Sequence, residues 1–304
     1  MTTSRTAQLS AFRSDEGRAR YLAAYDAVLQ QWPVPFEELD LPTRFGTTHV
    51  VASGLRHAPA LVLLPSLAAS ATLWRPNVAA LCAQYRVYAV DVIGQPGKSV
   101  QTRKLGDRRG MAEWFSDMLD ALEVRRASIV GASYGGFIAM NQAARTPARV
   151  ERVVLIGPAG VFVGFSWKMI SKMLVRGLWR RLAAPKRKRD ILDLLGPHAR
   201  LGPEDARWRE LMAITMTDSA IPDTFWKLVL DDEELAAIKA PTLLLIGEHE
   251  QLYPPATLAL AQRRMPGLEG AIIADAHHLA ALAQPEDVNH RILEFLGSRS
   301  GAQG

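Results

Sequence analysis

Mainly apolar runs of strand length alternate with stretches of helical spacing along this chain. The runs lie at 60–64, 87–92, 127–132, 150–156, 242–246 and 271–273. Between and after them, apolar residues recur at helical intervals over 73–83, 110–122, 135–144, 256–264 and 288–296. Strand alternating with helix predicts a parallel sheet with helices on both faces. Two parts depart from the alternation. Residues 14–31 open on Ser14-Asp15-Glu16 and place Tyr21, Leu22, Tyr25 and Leu29 on one face, so they read as a capped amphipathic helix that Pro33 and Pro35 end. Residues 36–41 and 48–52 then read as the two strands of an edge hairpin. The second departure, 158–238, has no clear strand and is rich in Trp, Met, Lys and Arg. It reads as a helical insertion standing over the carboxyl edge of the sheet, where ligands of open α/β sheets bind. The organisation expected is an N-terminal helical extension (1–35), a core (36–157 and 239–298) and a cap insertion (158–238).

Composition narrows this picture. A chain of 304 residues with 48% hydrophobic content fits one large domain with an insertion. The single cysteine, Cys82, excludes an internal disulfide and shares an apolar helical pattern with Val78 and Leu81, so it reads as a buried structural thiol. No Cys/His cluster has zinc spacing, and neither a metal nor a cofactor is expected. The chain shows no basic-then-apolar leader and no run of about 18 apolar residues, which makes the cytoplasm the expected compartment.

The net charge of +5 is local. Between Phe165 and Arg189 stand nine Lys/Arg and no Asp/Glu, without which the net charge would be −4. This is not a nucleic-acid footprint, and no nucleic-acid partner is expected. The run at 168–189 reads as a solvated outer face, with contact to an anionic membrane surface as the alternative not favoured.

The chemistry concentrates at Gly131-Ala132-Ser133-Tyr134-Gly135, which follows the apolar 127–132 run and precedes a helical stretch. Strand, Gly-x-Ser-x-Gly, helix is the arrangement of a nucleophile elbow. A serine at the tip of so tight a turn sits in a strained backbone, and side chains two positions either side would collide. Gly131 and Gly135 supply the room. The turn pushes the Ser133 hydroxyl out of the sheet and aims the first N–H groups of the next helix at the same point, where an oxyanion would develop.

A serine hydroxyl needs a base, and the base an orienting acid. In this class of elbow they follow in the order acid, then histidine. The 242–246 strand runs into Gly247-Glu248-His249-Glu250, which offers a carboxylate at a strand's carboxyl end. Ala276-His277-His278-Leu279 precedes the last helix and offers either imidazole.

With these parts in place the chain is identified as resembling the α/β-hydrolase superfamily over nearly its whole length. Asp91-Val92-Ile93-Gly94-Gln95-Pro96-Gly97-Lys98-Ser99 resembles that family's Asp-x-x-Gly-x-Gly-x-Ser loop, changed in register around Pro96. Pro241 through Gly247 resembles the strand leading to the acid. The resemblance puts the acid three residues after the glycine, at Glu250, with Glu248 as runner-up. It puts the base seven residues before Pro285, at His278, with His277 in a glycine position. The implied oxyanion donors are the backbone N–H groups of Tyr134 and Leu67, the latter in a Pro65-Ser66-Leu67 loop where the family usually reads His-Gly. Pro65 has no N–H but lies two positions upstream of the donor, so the hole can survive the change; Ser66 could add a hydroxyl. Asp91 is expected to fix its loop rather than take part in chemistry. The N-terminal segment also resembles bacterial carboxylesterase-like hydrolases with a helical cap.

The fold expected is therefore an α/β-hydrolase fold, a mostly parallel central sheet flanked by helices with a helical cap insertion. The expected activity is hydrolysis of small-molecule carboxylic esters carrying an apolar group, suggested by Phe162, Phe165, Trp167, Met169, Met173, Trp208, Met212 and Trp226 in the insertion. The competing readings are a lactone or C–C bond hydrolase of the same fold and a non-catalytic binding protein built on it. Nothing in the sequence sets the oligomeric state.

Overall fold

The computed structural model describes residues 9–164, 202–220, 229–250 and 252–298. Among the described residues nine strands form one sheet: β1 (Phe36–Thr43), β2 (Gly46–Ser53), β3 (Ala60–Leu64), β4 (Arg86–Val90), β5 (Val100–Gln101), β6 (Ala127–Ala132), β7 (Val150–Ile156), β8 (Thr242–Gly247) and β9 (Glu269–Ile273). Their order is β1-β2-β4-β3-β6-β7-β8-β9, with the two-residue β5 paired to β2. From β4 onward every neighbour is parallel, and the antiparallel pairings all involve β2 of the first hairpin. The chain enters at the β1–β2 edge, passes to β3, returns to β4, and then crosses β3 to run outward through β6, β7, β8 and β9. Adjacent β3, β6, β7 and β8 therefore bring their carboxyl ends to one edge, and the loops carrying Leu67, Ser133, Gly157 and Glu250 follow directly.

The helices among the described residues are α1 (Asp15–Leu29), α2 (Val78–Cys82), α3 (Arg108–Ala121), α4 (Tyr134–Arg145), α5 (Ala206–Asp218), α6 (Asp232–Ala237), α7 (Ala256–Arg264), α8 (Ala280–Ala283) and α9 (Pro285–Gly297). They cover two apolar cores, one on each face of the sheet. α3 and α4 pack on the first, through Trp114, Phe115, Phe137 and Met140. α1, α2 and α9 pack on the second. The starts are set by local chemistry. Ser14 accepts from the Gly17 N–H and Asp107 from the Gly110 N–H, each satisfying one of a helix's free donors.

One predicted element is divided. Helical spacing over 73–83 becomes a 3₁₀ turn at Ala71–Trp74 and the separate α2. Pro76 stands between them; it has no N–H to donate, and its ring would strike the carbonyl four residues back. The last helix begins three residues earlier than its apolar spacing, at Pro285, whose missing N–H and fixed φ suit the first helical turn.

The N-terminal segment pairs with β5 and with residues 219–220. Leu9 pairs with Gln101 and Phe12 with Ser219, and Ala220 N–H donates to Ala11 C=O at 2.9 Å. α5 packs along α1, and Trp208, Leu211 and Met212 join the core that holds Tyr21, Tyr25 and Trp32. Each such side chain contributes about 2 kcal/mol of apolar burial. Trp208 and Met212 are thus packing residues between α5 and α1. Phe162 is buried in the other core. Phe165, Trp167, Met169, Met173, Trp226 and the basic run at 168–189 lie outside the described residues. A part-buried ion pair, Arg75 to Asp205, ties the segment after the 3₁₀ turn to the start of α5.

Candidate active site

Ser133 occupies the single residue between β6 and α4, at φ 50° and ψ −112°. For a residue with a side chain this conformation costs about 1–3 kcal/mol and needs outside support. The support is visible. Ser133 N–H donates to Ile156 C=O on β7 at 2.9 Å, and its own carbonyl accepts from Gly136, Phe137 and Ala159. A Cβ on Gly131 would overlap the Gly135 carbonyl, and one on Gly135 would overlap the carbonyl of Leu64 on β3. Gly136 has its own reason, since a Cβ there would lie 2.8 Å from Pro158 Cβ in the loop after β7.

His278 sits in the loop between β9 and α8. Its Nε2 is 2.9 Å from Ser133 Oγ, and its Nδ1 is 2.7 Å from Glu250 Oε2. A carboxylate only accepts, so Nδ1 carries the proton and Nε2 accepts from the serine hydroxyl. Glu250 is buried, and its second oxygen accepts from the Leu252 N–H at 2.7 Å. Burial alone would raise its pKa. The adjacent His278 and the N–H groups of Leu252 and Tyr253 outweigh it and hold the carboxyl below the usual range.

The acid and base loops are joined by their backbones. His249 N–H donates to Ala276 C=O at 2.8 Å, and Glu248 N–H to Ile273 C=O at 2.9 Å. Gly247 permits this approach, because a Cβ there would fall 2.6 Å from Ala276 O and 2.7 Å from His277 O. His277 is buried, with Nδ1 accepting from the Leu279 N–H at 3.3 Å. Glu248 is exposed at the rim and accepts from the Asp275 N–H at 3.1 Å. The structure therefore brings together Ser133, His278 and Glu250 of the five residues expected, and leaves the runner-up Glu248 away from the imidazole.

Tyr134 opens α4, so its N–H belongs to the first turn beside Ser133. Leu67 lies in the loop after β3. In that loop Ala69 N–H donates to Ser66 C=O at 3.0 Å, Ala71 N–H to Asp91 Oδ1 at 2.8 Å and Ala68 N–H to Gln95 Oε1 at 2.7 Å. The Leu67 N–H has no hydrogen-bond partner among the described residues. Asp91 is fully buried and also accepts from Lys98 N–H at 2.7 Å. Burial raises its pKa, opposed by His49, the Ala71 and Lys98 N–H groups and the Tyr25 hydroxyl. It binds two loops together, and its side-chain partners are Tyr25, Ala71 and Lys98 rather than Ser133 or His278.

A sequence model of the alpha/beta hydrolase fold family matches residues 59–285. The chain belongs to the α/β-hydrolase family. Its similarity to Carboxylesterase YbfK of Bacillus subtilis is 37% identity over 292 residues, 94% of this chain and 96% of that one. The crystal structure of naproxen esterase (carboxylesterase NP) from Bacillus subtilis superposes with a TM-score of 0.82 at 34% identity, covering 93% of this chain and 99% of that chain. Carboxylesterase CesB (YbfK) from Bacillus subtilis superposes with a TM-score of 0.79 at 36% identity, over 93% and 100% of the two chains.

Three residues of this α/β-hydrolase's site went unassigned in the sequence. Gly157, at φ +50°, lies against the acid–base contact: a Cβ there would be 3.0 Å from Glu250 Oε2 and 3.4 Å from His278 Nδ1. Tyr253 sets its ring beside His278, centroids 6.5 Å apart, and its hydroxyl accepts from the Gly160 N–H at 2.8 Å. Burial pushes its phenol well above the ordinary range. Gln95 supports the Leu67 loop. A signal existed for one of them: Gly157 directly follows an apolar run, as Gly-Pro, where a sharp turn is expected.

Proposed function

We propose that this protein hydrolyses carboxylic esters through an acyl-enzyme on Ser133. What carries the reading is the unbroken hydrogen-bonded chain from Ser133 Oγ through His278 to the buried Glu250. Such a chain can move one proton off a hydroxyl and hold the positive charge that results. The family's membership and the carboxylesterase relatives point to the same bond class.

The steps follow from the donors and acceptors. Ser133 Oγ attacks the ester carbonyl carbon while its proton passes to His278 Nε2. Glu250 keeps the Nδ1–H in place and stabilises the imidazolium. The carbonyl oxygen, now negative, is received by the N–H groups of Tyr134 and Leu67, which gain most where charge has developed. His278 then returns its proton to the departing alkoxide, releasing the alcohol and leaving the acyl group on Ser133. A water attacks that acyl carbon, giving its proton to His278, and the tetrahedral species collapses to free acid and Ser133 hydroxyl. No metal or cofactor enters these steps.

We assign the substrate to small esters with an apolar group, and the insertion at 158–238 to the role of a cap over the site. The test is turnover of p-nitrophenyl esters from acetate to laurate by the wild type and by Ser133→Ala. The variant should lose about 10³-fold or more in kcat. Ester turnover surviving in Ser133→Ala would overturn the reading, as would its complete absence in the wild type.

A further inference from the structure

The loop 66–71 has to offer one N–H at a fixed place, yet it has little of its own to hold it there. It carries a non-glycine residue in the left-handed region, Ala68 at φ 60°, and its own backbone supplies a turn from Ala69 N–H to Ser66 C=O. Rigidity comes from the neighbouring loop. Asp91 grips the far end at Ala71. Gln95 grips the near end, where its Oε1 accepts from Ala68 N–H at 2.7 Å.

The position of that second bond matters. The Ala68 N–H belongs to the same planar peptide unit as the Leu67 carbonyl. Fixing this plane leaves only the two backbone dihedrals of Leu67 between it and the Leu67 N–H. The orientation of the amide is also settled. Ala68 N–H can only donate, so the amide oxygen and not the nitrogen must face it. Gln95 is 3% exposed, and its Nε2 is buried with no partner among the described residues. Its side chain serves this loop as an acceptor.

We propose that Gln95 is a positioning residue for ester hydrolysis: it holds the Leu67–Ala68 peptide so that the Leu67 N–H meets the oxyanion. This rests on the reading of Ser133 as nucleophile given above. A loosened donor loses most where the charge is concentrated, so the effect belongs to the transition state rather than to substrate binding.

Gln95→Met keeps length and volume and removes the acceptor. Gln95→Asn keeps the amide and draws it back by one methylene, and serves if the methionine variant does not fold. Gln95→Glu keeps an oxygen that can accept from Ala68. For Met or Asn, kcat on a p-nitrophenyl ester should fall about 10- to 100-fold with KM within about threefold. Inhibition by a trifluoromethyl ketone, whose adduct carries the same oxyanion, should weaken by the factor lost from kcat/KM. Gln95→Glu should recover part of the loss. A kcat within about twofold of wild type in a folded Met or Asn variant overturns the proposal, as does a loss lying in KM with ketone affinity unchanged. Labelling of Ser133 by a fluorophosphonate, counted at completion, separates the two readings. Wild type that is neither labelled nor active sinks the hydrolase reading and this proposal with it. Full labelling with unaltered kcat in the variants sinks this proposal alone.

Discussion

Glu250→Asp isolates the length of the acid from its charge. The carboxylate now reaches His278 Nδ1 at 2.7 Å. Removing one methylene withdraws it by about 1.5 Å, the length of a carbon–carbon bond. The contact would open to about 4 Å, beyond hydrogen-bond range. The loop cannot readily advance to close the gap. Glu250 N–H is bonded to Gly247 C=O at 3.1 Å, its Oε1 holds the Leu252 N–H, and Gly247 is already seated against the Ala276 and His277 carbonyls. A misplacement of about 1 Å in a supporting group costs about 100-fold, equivalent to about 2.7 kcal/mol of barrier. The assay is steady-state kinetics on a p-nitrophenyl ester, beside a thermal melt that confirms folding. The fall should lie in kcat, since Glu250 acts through His278. A folded Glu250→Asp with kcat/KM within about threefold of wild type would refute the reasoning. If Glu248→Gln then abolished turnover, the acid would be Glu248.

Gly157→Ala should cost about 1–2 kcal/mol for its left-handed backbone, and about tenfold in kcat as its methyl presses on Glu250 Oε2; an unchanged melt and unchanged kcat would contradict this. The depressed pKa of Glu250 has a definite sign in pH: its stabilising contribution is fully present above the unfolded value of about 4.3 and is lost as pH falls through the lower folded value. The Tm gap between wild type and Glu250→Gln should therefore narrow below about pH 4, and a gap that widens there would reverse the sign. Arg75→Ala leaves the buried Asp205 carboxylate with the Gly202 N–H but without its cation, and should cost about 3 kcal/mol in urea unfolding; Arg75 and Asp205 replaced together should cost less than Arg75 alone, and a larger double loss would count against the pair.

What could be read in the chain divides by how far the deciding contact lies along it. Gly131 and Gly135 exclude side chains because of carbonyls within the turn or on the adjacent strand, so a five-residue motif contains most of the reason. Glu250 and His278 were legible because each lies within a few residues of a strand end, and parallel strands deliver their carboxyl ends to one edge. The break at Pro76 was also written locally, but apolar spacing on both sides masked it. Trp208 and Met212 were not legible. An apolar stripe has the same period whether it meets a substrate or another helix, and their partner, α1, lies about 180 residues away. Gly157, Tyr253 and Gln95 share that difficulty, since each acts on a loop from another strand.

The elements that are hard to read have a common task. A serine forced to φ 50° and an alanine held at φ 60° are both unfavourable alone, and each is secured by donating its N–H to a different β-strand or its loop: Ser133 to Ile156 of β7, Ala68 to Gln95 after β4. The nucleophile and the oxyanion loop are thus fixed to opposite flanks of β3 and β6 rather than to each other. Their relative position is set by the sheet, whose parallel register runs unbroken from Leu61 to Leu64 against Ser128 to Gly131. A substitution that disturbs that register should separate attack from oxyanion stabilisation without touching a reacting atom, which is why the strand core belongs to the chemistry as much as to the fold.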